Sequence, residues 1–204
     1  MAGNPSVVVF DIGNVLIQWD PRHLYRDIFD GDETLMESFL AEVCTPAWNL
    51  EQDRGRPWAE AVATLAAEFP DCAELIRAFD ERWMEMVPDV VPGTPEILEE
   101  LKERGVPVYA ITNFSADKFV LSRERYPFLG GFDGIVVSGE VGLVKPDHAI
   151  FHRLFDGFGV RPSESLFIDD SEANIRAAAE LGMHTHQFAG AARLRSELEK
   201  FAFL

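Results

Sequence analysis

Val7-Val8-Val9-Phe10-Asp11-Ile12-Gly13-Asn14-Val15 is the stretch that decides the fold. Its apolar half is β-branched and too short for a helix, and it stops abruptly on a carboxylate followed by a glycine, as a buried strand running into a turn does. Runs of the same kind recur at Val106 to Ile111, Gly134 to Val137, Ser165 to Ile168 and His184 to Phe188. Amphipathic helical patterns lie between and after them, at Pro95 to Arg104, Ala116 to Arg125, His148 to Phe158, Glu172 to Leu181 and Ala191 to Phe201. Strand and helix alternating in this way predict an α/β fold, a Rossmann-like parallel sheet covered by helices.

One interval breaks the rhythm. From about Pro21 to Pro88 the pattern is helical throughout: Leu35, Met36, Phe39, Leu40 and Val43 share one face, as do Trp58, Val62, Leu65, Ala66 and Phe69. Leu75, Ile76, Phe79, Trp83 and Met86 continue the pattern, and Val87-Pro88 with Val91-Pro92-Gly93 mark a return hinge. The predicted organisation is therefore a core made of residues 1–18 and 89–204, with a helical cap over residues 19–88 inserted after the first strand.

The 204 residues are 47% hydrophobic and 26% charged, enough for a substantial core and too polar for a membrane bundle. Eighteen Lys and Arg against 35 Asp and Glu give a net charge of −17, a field that repels phosphate backbones and anionic lipid, so neither nucleic acid nor membrane is an expected partner. A pocket holding a cation and a metal can still invert that sign locally for a small anionic substrate. Cys44 and Cys72 form neither a disulfide framework nor a cysteine zinc cluster, which fits a reducing cytoplasm. Met1 to Ser6 carry no basic residue and the apolar run ends at Asp11, so no export or membrane-spanning segment is expected there. His148 and His152 are four apart on a predicted helix but lack the glutamate of a zinc-protease motif, and His184 and His186 read as packed strand residues.

In an open parallel sheet ligands bind beyond the carboxyl ends of the strands, so the residues just after each apolar run carry the chemistry. They are Asp11, Gly13 and Asn14 after the first run, Thr112 and Asn113 after the second, and Asp169, Asp170 and Ser171 after a later one, with Lys145 before the helix that starts near Asp147. Singly, each reads as a cap or turn residue. Converging on one rim, they suit phosphoryl transfer to a carboxylate. Asp11 can attack phosphorus only if the repulsion between two anions is neutralised, which a hard divalent ion on oxygen ligands does, with Asp170 as a second ligand and the carbonyl of Gly13 completing the shell. Lys145 would neutralise further charge, while Thr112 and backbone amides near Asn113 hold phosphoryl oxygens. Asn14, Trp19 and Asp20, where the chain enters the insert, are candidate substrate contacts. The chain lacks GxGxxG and GxxxxGK[ST], which argues against a dinucleotide or P-loop site.

Val-Phe-Asp11-Ile-Gly-Asn-Val, Ile-Thr112-Asn113, Gly-Leu-Val-Lys145-Pro and Phe-Ile-Asp169-Asp170-Ser-Glu-Ala-Asn174-Ile, in this order, resemble the haloacid dehalogenase-like (HAD) hydrolase superfamily, in its helical-cap subgroup. Within it, Asp-x-Gly-Asn-Val together with Tyr126-Pro127 is similar to the bacterial alpha-glucose-1-phosphate phosphatase type. The resemblance implies Asp11 as nucleophile, an aspartyl-phosphate intermediate, and Mg2+ held by Asp11, the Gly13 carbonyl and Asp170, with Asp169 acting from behind them. It implies Thr112, Asn113 and Lys145 as phosphoryl-binding groups, Asn174 as an ordering residue, and a small phosphorylated metabolite, a sugar phosphate among the candidates, as substrate. One departure stands out: most phosphatases of this kind carry a second Asp two positions after the nucleophile as acid and base, and this chain has Gly13. Either the leaving group is a good one, such as an anomeric sugar oxygen, or a cap residue or water supplies the proton. Two other readings follow from the same residues: a metal-independent 2-haloacid dehalogenase, which the acid pair Asp169-Asp170 disfavours, and a catalytically idle binding module.

Overall fold

The computed structural model describes residues 4–204; Met1, Ala2 and Gly3, the start of the segment read for an export signal, lie outside the described residues. Strands β1 (Val7–Phe10), β2 (Val108–Thr112), β3 (Gly134–Val137), β4 (Ser165–Asp169) and β5 (His184–Gln187) form one parallel sheet in the order β3-β2-β1-β4-β5. The helices are α1 (Arg22–Ile28), α2 (Glu33–Glu42), α3 (Pro46–Asp53), α4 (Trp58–Glu68), α5 (Ala73–Glu81), α6 (Thr94–Glu103), α7 (Ala116–Arg125), α8 (Ser138–Val141), α9 (His148–Phe158), α10 (Glu172–Glu180) and α11 (Ala191–Lys200). None of them is long and apolar enough to cross a membrane.

Alternation along the strands assigns the helices to faces. Val8 and Phe10 belong to the apolar cluster that takes Ile97, Leu98 and Leu101 from α6 and Leu194 and Leu198 from α11. Val9, Ile111 and Phe167 belong to a second cluster, with Ile150, Phe151 and Leu154 from α9 and Ala177 and Ala178 from α10. Both faces of the sheet are therefore covered, which is why its strands read as continuous apolar runs rather than alternating ones. β2 starts at Val108, two residues later than its apolar run, because Pro107 has no N–H to give the ladder and offers only its carbonyl, to Val8 N–H at 3.0 Å.

Helices α1 to α5 all lie between β1 and α6. Their interior is built on Tyr25, whose ring packs 4.9 Å from that of Phe39 and whose hydroxyl donates to the Leu75 carbonyl at 2.8 Å. Leu35, expected on the buried face of α2, is 57% exposed, because Met36, Phe39, Leu40 and Val43 already complete an i, i+3, i+4, i+7 stripe and Leu35 falls one position off it. The two chain crossings between insert and sheet pair with each other: Gln18 N–H donates to Asp89 and Val91 N–H to Leu16, each at 2.9 Å, and Ile17 bridges Val90 antiparallel. Side chains then fasten the insert to α7 and to the loop before it. Trp58 Nε1 donates to Ser115 Oγ at 3.0 Å, and Lys118 Nζ pairs with the Asp80 carboxylate at 2.5 Å.

That loop, 113–115, also leans on α8. A Cβ at Gly139 would stand 2.6 Å from Ala116 N and 2.9 Å from the Phe114 carbonyl, backbone that cannot rotate aside. Gly139→Ala is accordingly expected to destabilise the protein by about 1–3 kcal/mol, read as a lower urea midpoint at unchanged slope; an unshifted midpoint would show the contact to be slack.

Candidate active site

The carboxyl ends of β1 and β4, adjacent in the sheet, bring Asp11 beside Asp169 and Asp170, although the insert and strands β2 and β3 separate them in the chain. Lys145, in the segment between α8 and α9, enters from the other side. Its Nζ lies 2.8 Å from Asp11 Oδ1 and 2.7 Å from Asp169 Oδ2, with the lysine side chain 1% exposed. Asp169 is wholly consumed by such contacts: Ser171 N–H donates to Oδ1 at 2.8 Å and Asn174 Nδ2 reaches both oxygens at 3.0 Å. Asn113 holds the lysine from its backbone, its Nδ2 donating to the Lys145 carbonyl at 3.0 Å while its Oδ1 accepts the Lys145 N–H at 2.8 Å. Asn113 and Asn174 thus position charged groups through their side chains. Thr112 Oγ1 is buried at the end of β2 with no hydrogen-bond partner among the described residues.

Burial pushes the Asp11 carboxyl up to about 7, and the neighbouring Asp169 adds to this, while Lys145 and the Ile12 N–H oppose it. Burial also works against the charge of Lys145, but Asp11 and Asp169 more than reverse it and hold its pKa above the ordinary lysine value. Asp170 is raised too, by desolvation and by Asp169. One carboxylate oxygen from each of Asp11, Asp169 and Asp170 lies within 4.8 Å of the others. Three carboxyl groups around one ammonium, all hard oxygen donors, fit a divalent cation such as Mg2+. Asp170 is exposed at the cluster; its carbonyl accepts Gln187 Nε2 at 3.2 Å, but its carboxylate bonds no side chain among the described residues, so its carboxylate oxygens are available where those of Asp169 are not.

A cavity of about 190 Å³ opens over the cluster, walled by Asp11, Lys145 and Asp170 from the sheet end and by Asn49, Asp53 and Trp83 from the insert. Gly13 and Trp19 also line it, and a Cβ at Gly13 would meet nothing within 4 Å, so the space over that position is open cavity. Asn14 adopts a left-handed φ of 56°, which asparagine tolerates, and its Oδ1 accepts the Trp19 N–H at 2.9 Å, setting where the tryptophan stands. Asp20 instead accepts from Arg22 N–H at 2.9 Å and pairs with its guanidinium at 3.2 Å, starting α1. A second cavity of about 460 Å³ lies within the insert and shares Asn14, Trp19 and Asn49 with the first.

Asn49 and Asp53 went unread in the sequence. Thr45-Pro46 signals the start of α3, with Thr45 Oγ1 accepting the Trp48 N–H at 3.0 Å and Pro46 in the first turn, and the i, i+4 spacing puts Asn49 and Asp53 on one face. Which way that face looks is decided only by packing. His148 meets Glu180 at 3.1 Å, and His184 packs edge-on against Phe201.

The family model for haloacid dehalogenase-like hydrolases matches residues 5–182. The chain is 28% identical over 190 residues to the sesquiterpene phosphatase astK of Aspergillus oryzae, covering 87% of each. It is 27% identical over 219 residues to a phosphoserine phosphatase of Thermus thermophilus, covering 87% of this chain and 86% of that one. A HAD family enzyme of Bacteroides thetaiotaomicron, solved in complex with magnesium and inorganic phosphate, shares the fold with a TM-score of 0.68 at 24% identity, over 91% of this chain and 95% of that one.

Replacing Lys145 by Met leaves Asp11 and Asp169 buried without a counter-charge. The expected loss is about 3–5 kcal/mol of unfolding free energy, measured by urea denaturation at neutral pH; a loss below about 1 kcal/mol would mean that the pair contributes little.

Proposed function

The chain belongs to the haloacid dehalogenase-like hydrolases, and from that premise we propose that it hydrolyses a small phosphomonoester with the help of Mg2+. The observation that carries this reading is the oxygen triad of Asp11, Asp169 and Asp170 beside the buried Lys145. Asp11, the Gly13 carbonyl and Asp170 would hold the ion, with Asp169 fixed behind them. When bound, the ion supplies the positive charge that lets one anion approach another.

Asp11 is the nucleophile. Its free carboxylate oxygen attacks phosphorus as the ester P–O bond breaks, and water later displaces the carboxylate from the aspartyl-phosphate to release phosphate. Lys145, Thr112 Oγ1 and the backbone N–H groups near Asn113 bind the phosphoryl oxygens; the buried, partnerless Thr112 hydroxyl supports its part in this. Asp169 and Asn174 keep the ammonium and the loop in place, and residues 19–88 act as a cap over the core of residues 1–18 and 89–204, selecting the leaving group. The phosphatase relatives support the reaction class.

Trp19, Trp83 and Asn49 around the smaller cavity offer aromatic faces and amide groups of the kind that bind a sugar, which supports a sugar phosphate. The larger cavity supports a second reading. Leu40, Cys44 and Phe79 line it, so an apolar alcohol moiety would fit there, and one relative is named a sesquiterpene phosphatase.

p-Nitrophenyl phosphate hydrolysis is expected to require Mg2+, to stop with chelator, and to fall more than about 10³-fold in Asp11→Asn; hydrolysis that survives chelation would overturn the need for the ion, and chelator-resistant halide release from a 2-haloacid would instead support dehalogenase-type chemistry. A steady-state comparison of a hexose 1-phosphate with a prenyl phosphate separates the two substrate readings: the preferred class should show about tenfold or more higher kcat/KM, one kcal-scale difference in transition-state binding.

A further inference from the structure

Breaking a P–O bond to an alcohol releases an alkoxide unless a proton is delivered as the bond breaks. At the end of β1 nothing can deliver it: Asp11 is the nucleophile, and position 13 has no side chain. Four ionisable side chains line the cavity over the cluster, namely Asp11, Lys145, Asp170 and Asp53. Lys145 is held between two carboxylates and Asp170 is a proposed metal ligand, which leaves Asp53. Building on the phosphatase reading above, we propose that Asp53, at the end of α3 in the insert, is the acid-base group of the reaction.

Its setting is built rather than incidental. Asn49, one turn earlier on α3, donates from Nδ2 to Asp53 Oδ2 at 3.1 Å, while its own Oδ1 is buried without a partner among the described residues. Asn49 is itself 9% exposed and lines the same cavity, so it holds the Asp53 carboxyl at the cavity wall. The end of α3 is pinned to the loop after β2: Ser138 Oγ donates to the Asp53 carbonyl at 2.5 Å and accepts the Phe114 N–H at 2.8 Å. The insert therefore presents its acid in a fixed relation to Thr112 and Asn113. Arg54, the residue after α3, is occupied with Glu51 at 3.7 Å and Asp147 at 3.6 Å, so the charges that share the cavity with Asp53 are those of Asp11, Lys145 and Asp170.

Burial pushes the Asp53 carboxyl up to about 7, with a Ser115 backbone N–H opposing it. A group titrating near neutrality can serve both halves of the reaction. In the first, Asp11 forms a bond to phosphorus, the ester P–O bond breaks, and the Asp53 proton moves to the leaving oxygen, giving the alcohol and an Asp53 carboxylate. In the second, water bonds to phosphorus, its proton returns to Asp53, and the bond to Asp11 breaks, giving phosphate and restoring both side chains.

The test is the dependence of kcat on leaving-group basicity in Asp53→Asn. An alkyl phosphate, whose alkoxide needs the proton, should lose about 10²–10⁴-fold, whereas p-nitrophenyl phosphate, whose phenolate leaves unaided, should lose less than about tenfold. Equal losses on both esters, as a merely structural role would give, overturn the proposal, and so does an undiminished alkyl rate. Failure of the wild-type protein to hydrolyse either ester overturns the phosphatase reading itself. Asp53→Glu keeps the carboxyl and should retain the wild-type ratio between the two esters, so the test survives a poorly folded Asn variant. Folding has its own readout. A carboxyl whose folded pKa lies above its unfolded value stabilises below the unfolded pKa and loses that contribution as pH rises to about 7, so Asp53→Asn should melt higher relative to wild type at pH 8 than at pH 5.

Discussion

The Lys145 ammonium is what allows two carboxyl groups to stand side by side at the ends of neighbouring strands. Asp11 and Asp169 are both buried, and burial together with the neighbouring Asp169 pushes the Asp11 carboxyl up even with the ammonium present. Lys145 bonds one oxygen of each, and its own burial is tolerable only because both carboxylates surround it. The arrangement is one of mutual dependence, in which desolvation is offset only while every member is present. Asn113 and Asn174 serve that requirement by removing the rotational freedom of its members.

A site made this way still carries more carboxyl groups than ammoniums. The surplus falls at Asp170, the exposed member, at the edge of a cavity into which Gly13 projects no side chain. The surplus of negative charge and the open space coincide, an arrangement that suits a dication together with an anionic ligand.

The insert contributes in another currency, that of shape and proton supply. Its interior around Tyr25 is continuous with the apolar cluster on one face of the sheet, and its polar contacts with the core run through the loop after β2 and through the paired crossings at Ile17 and Val90. α3 is thereby carried to the cavity edge, which places Asn49 and Asp53 within a site whose other members come from strand ends. Two cavities that share Asn14, Trp19 and Asn49 give the site a polar region bordered by Asp11, Lys145 and Asp170 and a second region lined by Leu40, Cys44 and Phe79.

Most of the architecture was legible in the residue order, because β-branched runs and helical periodicity are local properties of the chain. Strand positions, the helical insert and the strand-end residues Asp11, Thr112, Asp169 and Asp170 follow from them, since an open parallel sheet puts its strand ends on one rim. The misread positions have local causes: the stripe on α2 excludes Leu35, and Pro107 delays β2. Tertiary structure alone decided the long-range partnerships. That Lys145 bridges Asp11 and Asp169, that Asn113 spends its side chain on the Lys145 backbone, and that Asp53 faces the strand ends depend on the strand order and on how the insert docks. Spacing along a chain cannot state these, because a helix presents every face to its own sequence and only packing selects the one that meets the site.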